Sequence, residues 1–160
     1  MTRHIPVHVT WRVEEGIESL RRVPSFRAMA RAFQVGKDRF GFRLVHYSVQ
    51  GNHLHLIVEA EDRTSLSRGM QGLGIRLAKA LNRVMQRSGS VFADRFHAHY
   101  LRSKREVARA IAYVLGNWFL HAGRENGPWD VDQLSSVAEP GTTVQPQSWL
   151  LRFGWVTARP

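Results

Sequence analysis

The sequence predicts an α+β fold: an antiparallel sheet with two helices on one face, then a third helix and an irregular tail. Three observations carry this expectation. Residues 6–13 alternate apolar and polar with a period of two. Residues 42–50 and 53–60 are two further strand-like runs joined through Gly51 and Asn52. Residues 17–35 and 64–87 repeat their apolar positions at helical spacing. In chain order the elements read β-α-β-β-α-β-α, and the first six match the split βαβ, ferredoxin-like βαββαβ arrangement. Another two-layer α+β sandwich is the alternative.

The first strand, PVHVTWRV, sets Val7, Val9, Trp11 and Val13 on one face and His8, Thr10 and Arg12 on the other. Residues 17–35 point Leu20, Phe26, Met29 and Phe33 inward. Pro24 either starts this helix or kinks it, and Gly36 ends it. A two-residue connection with Gly first suits a type II′ hairpin, so residues 42–50 and 53–60 are expected to pair antiparallel. On the second of them His53, His55 and Ile57 share one face, and Leu54, Leu56 and Val58 the other. Leu66, Met70, Leu73, Leu77, Leu81 and Val84 form the stripe of the next helix, which Ser88-Gly89 stops. Residues 91–102 hold another extended segment, best at FHAHYLR. Ser103 and Glu106 form a capping box that opens a helix from about Lys104 to about Phe119. From Gly123 the chain turns irregular, with a loop at 139–147, and Trp149, Phe153 and Trp155 are expected to pack back on the core. The division is residues 1–122 as the domain and 123–160 as a tail packed on it.

Composition narrows function. The chain has 160 residues, 43% hydrophobic and 22% charged, enough for one domain with a real core. No apolar run approaches the roughly 20 residues of a membrane helix, and no apolar targeting segment follows Met1. With no Cys, a disulfide framework, a zinc ribbon and a thiol nucleophile are excluded. The formal net charge is +10 and the pI about 11.3. That is the electrostatic footprint of a protein that meets polyanions, nucleic acid first among them. Arg68, Arg76, Lys79, Arg83 and Arg87 fall opposite the apolar stripe of the 64–87 helix. Arg95, Arg102, Arg105 and Arg109 follow, and this basic side can track a phosphate backbone.

Two local patterns bear on chemistry. His53-Leu54-His55 sends both imidazoles to one strand face, their Cα atoms about 6–7 Å apart. Such a pair can hold a divalent metal, or it can simply hydrogen-bond on a solvated sheet face; two His are not a complete site. On the last helix Val107, Ile111, Val114, Leu115 and Trp118 form the apolar stripe. Tyr113 and Asn117 lie together off it, four residues apart. A phenol beside an amide oxygen there is either a surface pair or part of a site. Glu59 and Asp94 are candidate further acids, whereas His97 and His99 read as sheet-face residues without a role. No Gly-rich phosphate loop, nucleophile elbow or HExxH pattern occurs.

In combination, HYSVQGNHLHLIVEA, LSRGMQGLGIRLAKALNR, GSVFADRFHAHYLRS and AIAYVLGN, in that order, resemble the single-tyrosine HUH transposases of the IS200/IS605-like kind. Within them the resemblance is to the REP-associated tyrosine transposase group, and it runs from about His8 to about Gly123. It implies the HUH endonuclease fold and metal-dependent cleavage and rejoining of single-stranded DNA. In that reading His53 and His55 are the metal pair, Tyr113 is the nucleophile, and Asn117 stands where the family places a polar ligand. Mg²⁺ or Mn²⁺ is the implied ion. The implied substrate is single-stranded DNA, with hairpin or palindromic ends, handled in the cytoplasm near the nucleoid by a monomer or homodimer. Arg76, Lys79 and Arg83 would hold the backbone. Many relatives follow the Asn with Pro; this chain continues NWFLHAG, which predicts a longer helix. Two other classes share the features: a catalytically silent protein that binds DNA or RNA hairpins, and a replication-initiator-like nickase.

Overall fold

A computed structural model describes the backbone of residues 4–121 and 134–158, and the side chains of these residues except 117–121. A five-stranded antiparallel sheet is built from β1 (Ile5–Arg12), β2 (Asp38–Arg39), β3 (Phe42–Val49), β4 (His53–Ala60) and β5 (His97–Tyr100), in the spatial order β2-β3-β4-β1-β5. Setting aside the two-residue β2, this is the ferredoxin-like order that the βαββαβ reading predicts. Helices α1 (Val23–Gly36) and α2 (Arg63–Val84) cover one face. Helix α3 (Lys104–His121) covers the other, joined by α4 (Trp149–Arg152) and a 3₁₀ turn at Gly154–Thr157.

The strand alternation decides which residues meet which helix layer. Val7, Val9 and Trp11 of β1 and Leu54, Leu56 and Val58 of β4 pack with Phe26, Met29 and Phe33 of α1 and with Leu66, Met70, Leu73, Leu77 and Leu81 of α2. Each fully buried aliphatic or aromatic side chain there contributes roughly 1.5–3 kcal/mol of transfer free energy. The opposite face buries Val45, Ile57 and Leu101 against Val107, Ala110, Ile111 and Val114 of α3 and Leu151 of α4. The register of β3 on β4 shifts between Leu44 and His46. That bulge resets the alternation, so that Phe42 and Leu44 before it and Tyr47 and Val49 after it all face the α1/α2 core, while Val45 faces α3.

Several expectations are corrected. Pro24 starts the first helix, one of the two expected outcomes: α1 begins at Val23 with Pro24 in its first turn, so residues 17–22 lie outside the helix, and Leu20 is buried as predicted. Gly51 does not take the positive φ that a type II′ turn requires. Its carbonyl and that of Asn52 instead accept hydrogen bonds from the Leu20 and Val13 amides, which tie the turn to the 13–20 segment. Val84 is exposed rather than part of the buried stripe, because α2 ends there. The extended segment expected over 91–102 pairs only at His97–Tyr100, apart from one bridge between Val13 and Phe92. The capping box forms: Glu106 accepts from the Ser103 amide at 3.0 Å, and the Glu106 amide donates to Ser103 Oγ at 3.2 Å. Helix α3 runs past Phe119 to His121, as the missing Pro predicts.

The tail departs furthest from expectation. Part of it is helical, and only Trp155 of the three aromatics packs against the α3-side core. Trp149 and Phe153 are 57% and 53% exposed. The tail is held by Glu59, which is fully buried and accepts from the Gln147 amide at 2.8 Å and the Ser148 amide at 2.7 Å. This carboxylate therefore clamps the start of α4 and is not an extra acid of the site. Among the described residues no helix is long and apolar enough to cross a membrane.

Candidate active site

Three elements build the site. The β1 face opposite the Val7–Val9–Trp11 core presents His8, Thr10 and Arg12, and antiparallel register sets Thr10 opposite His55 and Arg12 opposite His53. On the far side of β1, His99 stands opposite His8 and His97 opposite Thr10. Above this polar lattice runs α3, whose buried stripe at Val107, Ala110, Ile111 and Val114 turns Tyr113 toward the histidines. Tyr113 is 38% exposed, and its ring lies edge-on to His55 at 5.0 Å and to His8 at 5.9 Å between centroids. His8, Thr10, Arg12, His53, His55 and Tyr113 line one cleft of about 480 Å³.

The histidines form a chain. His53 Nε2 stands 3.1 Å from His55 Nε2, and His55 Nδ1 stands 3.1 Å from His8 Nε2 and 3.4 Å from Thr10 Oγ1. Asn52 Oδ1 is 2.7 Å from His53 Nδ1. The donor set fits a divalent ion: two cis ligands about 2.1 Å from an octahedral metal are about 3.0 Å apart. Both Nε2 atoms then offer lone pairs, while Asn52 and His8 accept from the two Nδ1–H groups and fix the tautomers. His8 suits the acceptor role. Burial, with a smaller contribution from the like charge of His99, lowers its pKa and so favours the neutral form. Among the described residues no three His, Cys, Asp or Glu side chains group as a metal cage, so the protein ligands described number two. Asn117 lies one turn beyond Tyr113 on α3, but its side chain falls outside the described residues.

The other tyrosines stand elsewhere. Tyr47 packs on Phe33 in the opposite core and bonds Thr142 Oγ1 at 2.8 Å; burial pushes its pKa up to about 12. Tyr100 packs against that same core. Asp94 offers its backbone carbonyl to the Trp11 indole N–H. His8, Thr10, Arg12 and Asn52 are site residues that motif reading missed. For the first three the signal was present in the polar half of the first strand's alternation, which by itself looks like any solvated face; Asn52 stood in the turn beside His53.

The predicted cationic residues do not converge. Arg76, Lys79 and Arg83 line a groove of about 660 Å³ with Arg27 and Arg31 between α1 and α2, on the opposite side of the sheet from Tyr113. Among the described residues Arg76 Nε is buried there without a hydrogen-bond partner. Arg68 is exposed on α2, Arg95 precedes β5, and Arg102 and Arg105 flank the start of α3.

The chain thus sets a histidine pair on a ferredoxin-like sheet beneath a helix-borne tyrosine. Over residues 2–117 the sequence matches the family described as "Transposase IS200 like", and the chain belongs to that family. Two solved structures share its fold. One is a REP-associated tyrosine transposase bound to a REP hairpin, at 16% identity over 74% of this chain and 69% of that chain, with a TM-score of 0.57. The other is a candidate transposase from Deinococcus radiodurans R1, at 12% identity over 79% of this chain and 95% of that chain, with a TM-score of 0.54. No curated protein matches the sequence.

Proposed function

We propose that this chain cleaves and rejoins single-stranded DNA through a 5′-phosphotyrosine intermediate, as the chemical step of DNA transposition. The observation that carries the reading is the approach of the Tyr113 ring to His55, 5.0 Å between centroids, where His53 and His55 converge at 3.1 Å. Tyr113 Oη attacks phosphorus, the bond from phosphorus to the 3′-oxygen breaks, and that oxygen leaves with a proton as a free 3′-hydroxyl. The DNA 5′-phosphate stays on the tyrosine. Attack by a 3′-hydroxyl on this ester reverses the step and returns the proton to the phenol, so strands rejoin without ATP.

A Mg²⁺ or Mn²⁺ ion on His53 and His55, with Asn117 as expected further ligand, would supply Lewis-acid stabilisation of the charge on the phosphoryl oxygens. His8 and Asn52 orient the two imidazoles, and Arg12 at the cleft rim meets a phosphate. Arg76, Lys79 and Arg83 would grip backbone on the far face, Arg68 adds charge on α2, and Arg95, Arg102 and Arg105, before β5 and at the start of α3, are separate phosphate contacts. The hairpin held by the REP-associated structure supports a folded DNA end as substrate.

The test incubates the protein with Mn²⁺ and labelled hairpin-bearing single strands, and seeks a denaturant-resistant adduct. The expected adduct maps to Tyr113 by peptide mass. An adduct on Tyr100 overturns the nucleophile assignment. Binding with no adduct on any strand makes the chain a silent hairpin binder.

A further inference from the structure

The exposed tail aromatics have a physical setting that core packing does not explain. Trp149 and Phe153 are four residues apart and project outward, while Leu151 between them is buried. The tail holding them is rigidly seated: Glu59 clamps its start, Ser148 Oγ caps α4 by accepting from the Leu151 amide at 3.3 Å, and the Trp155 indole donates to the Leu151 carbonyl at 2.9 Å. Gly154 makes room for the Trp149 ring, since a Cβ there would meet it at 2.7 Å. Two large apolar rings are thus fixed in an exposed position rather than left there by a loose end.

Cations surround them. Lys104 Nζ lies 5.0 Å from the Trp149 ring centroid and Arg152 Cζ 5.0 Å from that of Phe153. Arg102 joins the aromatics and Arg152 around a cleft of about 1130 Å³. Glu106, the acid nearest in sequence to these cations, already accepts from the Arg102 and Ser103 amides. Among the described residues Arg102, Lys104 and Arg152 form no ion pair, and ordered aromatics beside such cations are what single-stranded nucleic acid needs: bases stack on the rings and phosphates meet the cations.

The cleft lies on the same side of the sheet as the histidines. Pro6 of β1, which lines it, alternates in phase with His8, and Leu101 and Leu150, which also line it, pack in the α3-side core. Lys104 opens the helix that carries Tyr113, nine residues or about 13 Å further on. That distance is a few nucleotides of extended strand.

We propose that Trp149 and Phe153, with Arg102, Lys104 and Arg152, form a stacking platform for unpaired bases flanking the phosphodiester that Tyr113 attacks. This inference rests on the DNA-cleaving reading above. The platform binds by π-face and charge, so it selects unpaired over duplex nucleic acid and tolerates base identity.

The test measures affinity of the full-length protein for a labelled single strand and for a blunt duplex, in EDTA, for wild type, Trp149→Ala, Phe153→Ala and Trp149→Phe. Each Ala variant is expected to lose about tenfold in single-strand affinity, with duplex affinity and melting temperature unchanged, and Trp149→Phe to recover most of the loss. Placing abasic sites along the strand should mimic Trp149→Ala at one or two adjacent positions. Wild-type single-strand affinity in both Ala variants overturns the platform, as does an equal loss on duplex. So does an Ala variant that keeps single-strand binding but no longer binds anionic vesicles or self-associates. Adduct formation by the wild type is scored separately. A platform without any adduct leaves the stacking surface standing and removes the cleavage reading; an adduct with unaffected binding does the reverse.

Discussion

The Tyr113 ring stands nearly perpendicular to that of His55, at 85° and 5.0 Å between centroids, although the two residues come from a helix and a strand on separate parts of the chain. The contact exists because α3 buries Val107, Ile111 and Val114 against Val45 and Ile57. Ile57 follows His55 on the same face of β4, so packing α3 on Ile57 carries Tyr113 over the histidines.

Tyr113→Phe should abolish adduct formation and cost well under about 1 kcal/mol of stability, because it removes one oxygen from a partly exposed side chain. Gel assay and thermal melting, run together, check this. Residual cleavage in the variant overturns the assignment.

His53→Ala and His55→Ala should both end cleavage, yet they differ in the fold. His55 is buried between β1 and α3 and its loss lowers the melting temperature, whereas His53 is half-buried and its loss leaves the temperature near wild type. Titration of Mn²⁺, followed by its electron paramagnetic resonance signal, should show weakened binding in each. Undiminished Mn²⁺ affinity would falsify the ligand assignment.

His8 never touches DNA in this scheme; it orients His55. His8→Ala should weaken Mn²⁺ binding and cleavage by about 10- to 100-fold, the usual cost of losing a partner of a metal-bound imidazole. His8→Gln, which can still accept from His55 Nδ1, should restore part of both. A loss of cleavage with unchanged metal affinity would show that His8 acts some other way.

Charge reversal at Arg76, Lys79 or Arg83 should weaken DNA binding at low salt and reduce the salt slope by about one per lost phosphate contact. These residues lie across the sheet from Tyr113, so the cleavage rate at saturating DNA should stay near wild type. Affinity that ignores salt between 50 and 200 mM removes this groove as a DNA contact.

His46 supplies a pH dependence separate from the metal pair. Burial lowers its pKa to about 4, against 6.5 for an ordinary imidazole. Between these values the unfolded chain takes up a proton that the folded chain refuses, so stability falls as pH drops from about 6.5 to 4, by up to about 3 kcal/mol. His46→Gln should flatten that part of the melting-temperature profile and leave it unchanged at pH 8. A parallel profile for the two chains sinks the attribution.

What was legible in the sequence was local. Period-two alternation placed His53 and His55 together on one strand face, the apolar stripe of the last helix set Tyr113 aside from its buried residues, and Ser103 with Glu106 marked where that helix starts. Each of these follows from backbone geometry over a few residues, which side-chain chemistry reports directly. The expected packing of Trp149 and Phe153 failed because hydrophobicity says that a ring prefers burial, not whether a neighbour is available to bury it.

Only the tertiary structure decided the rest. His8, Thr10 and Arg12 became site residues because β1 lies between β4 and β5, a pairing between segments some forty or more residues apart. Glu59 shares a strand face with His53 and His55, but the tail reaches it with two backbone amides, and a buried carboxylate is stable only where such donors arrive. The Arg76, Lys79 and Arg83 row was evident as a charged helix face; that it faces away from Tyr113 depends on which side of the sheet α2 covers. Strand order and helix side are set by long-range burial, and no short stretch of sequence contains both partners of such a contact.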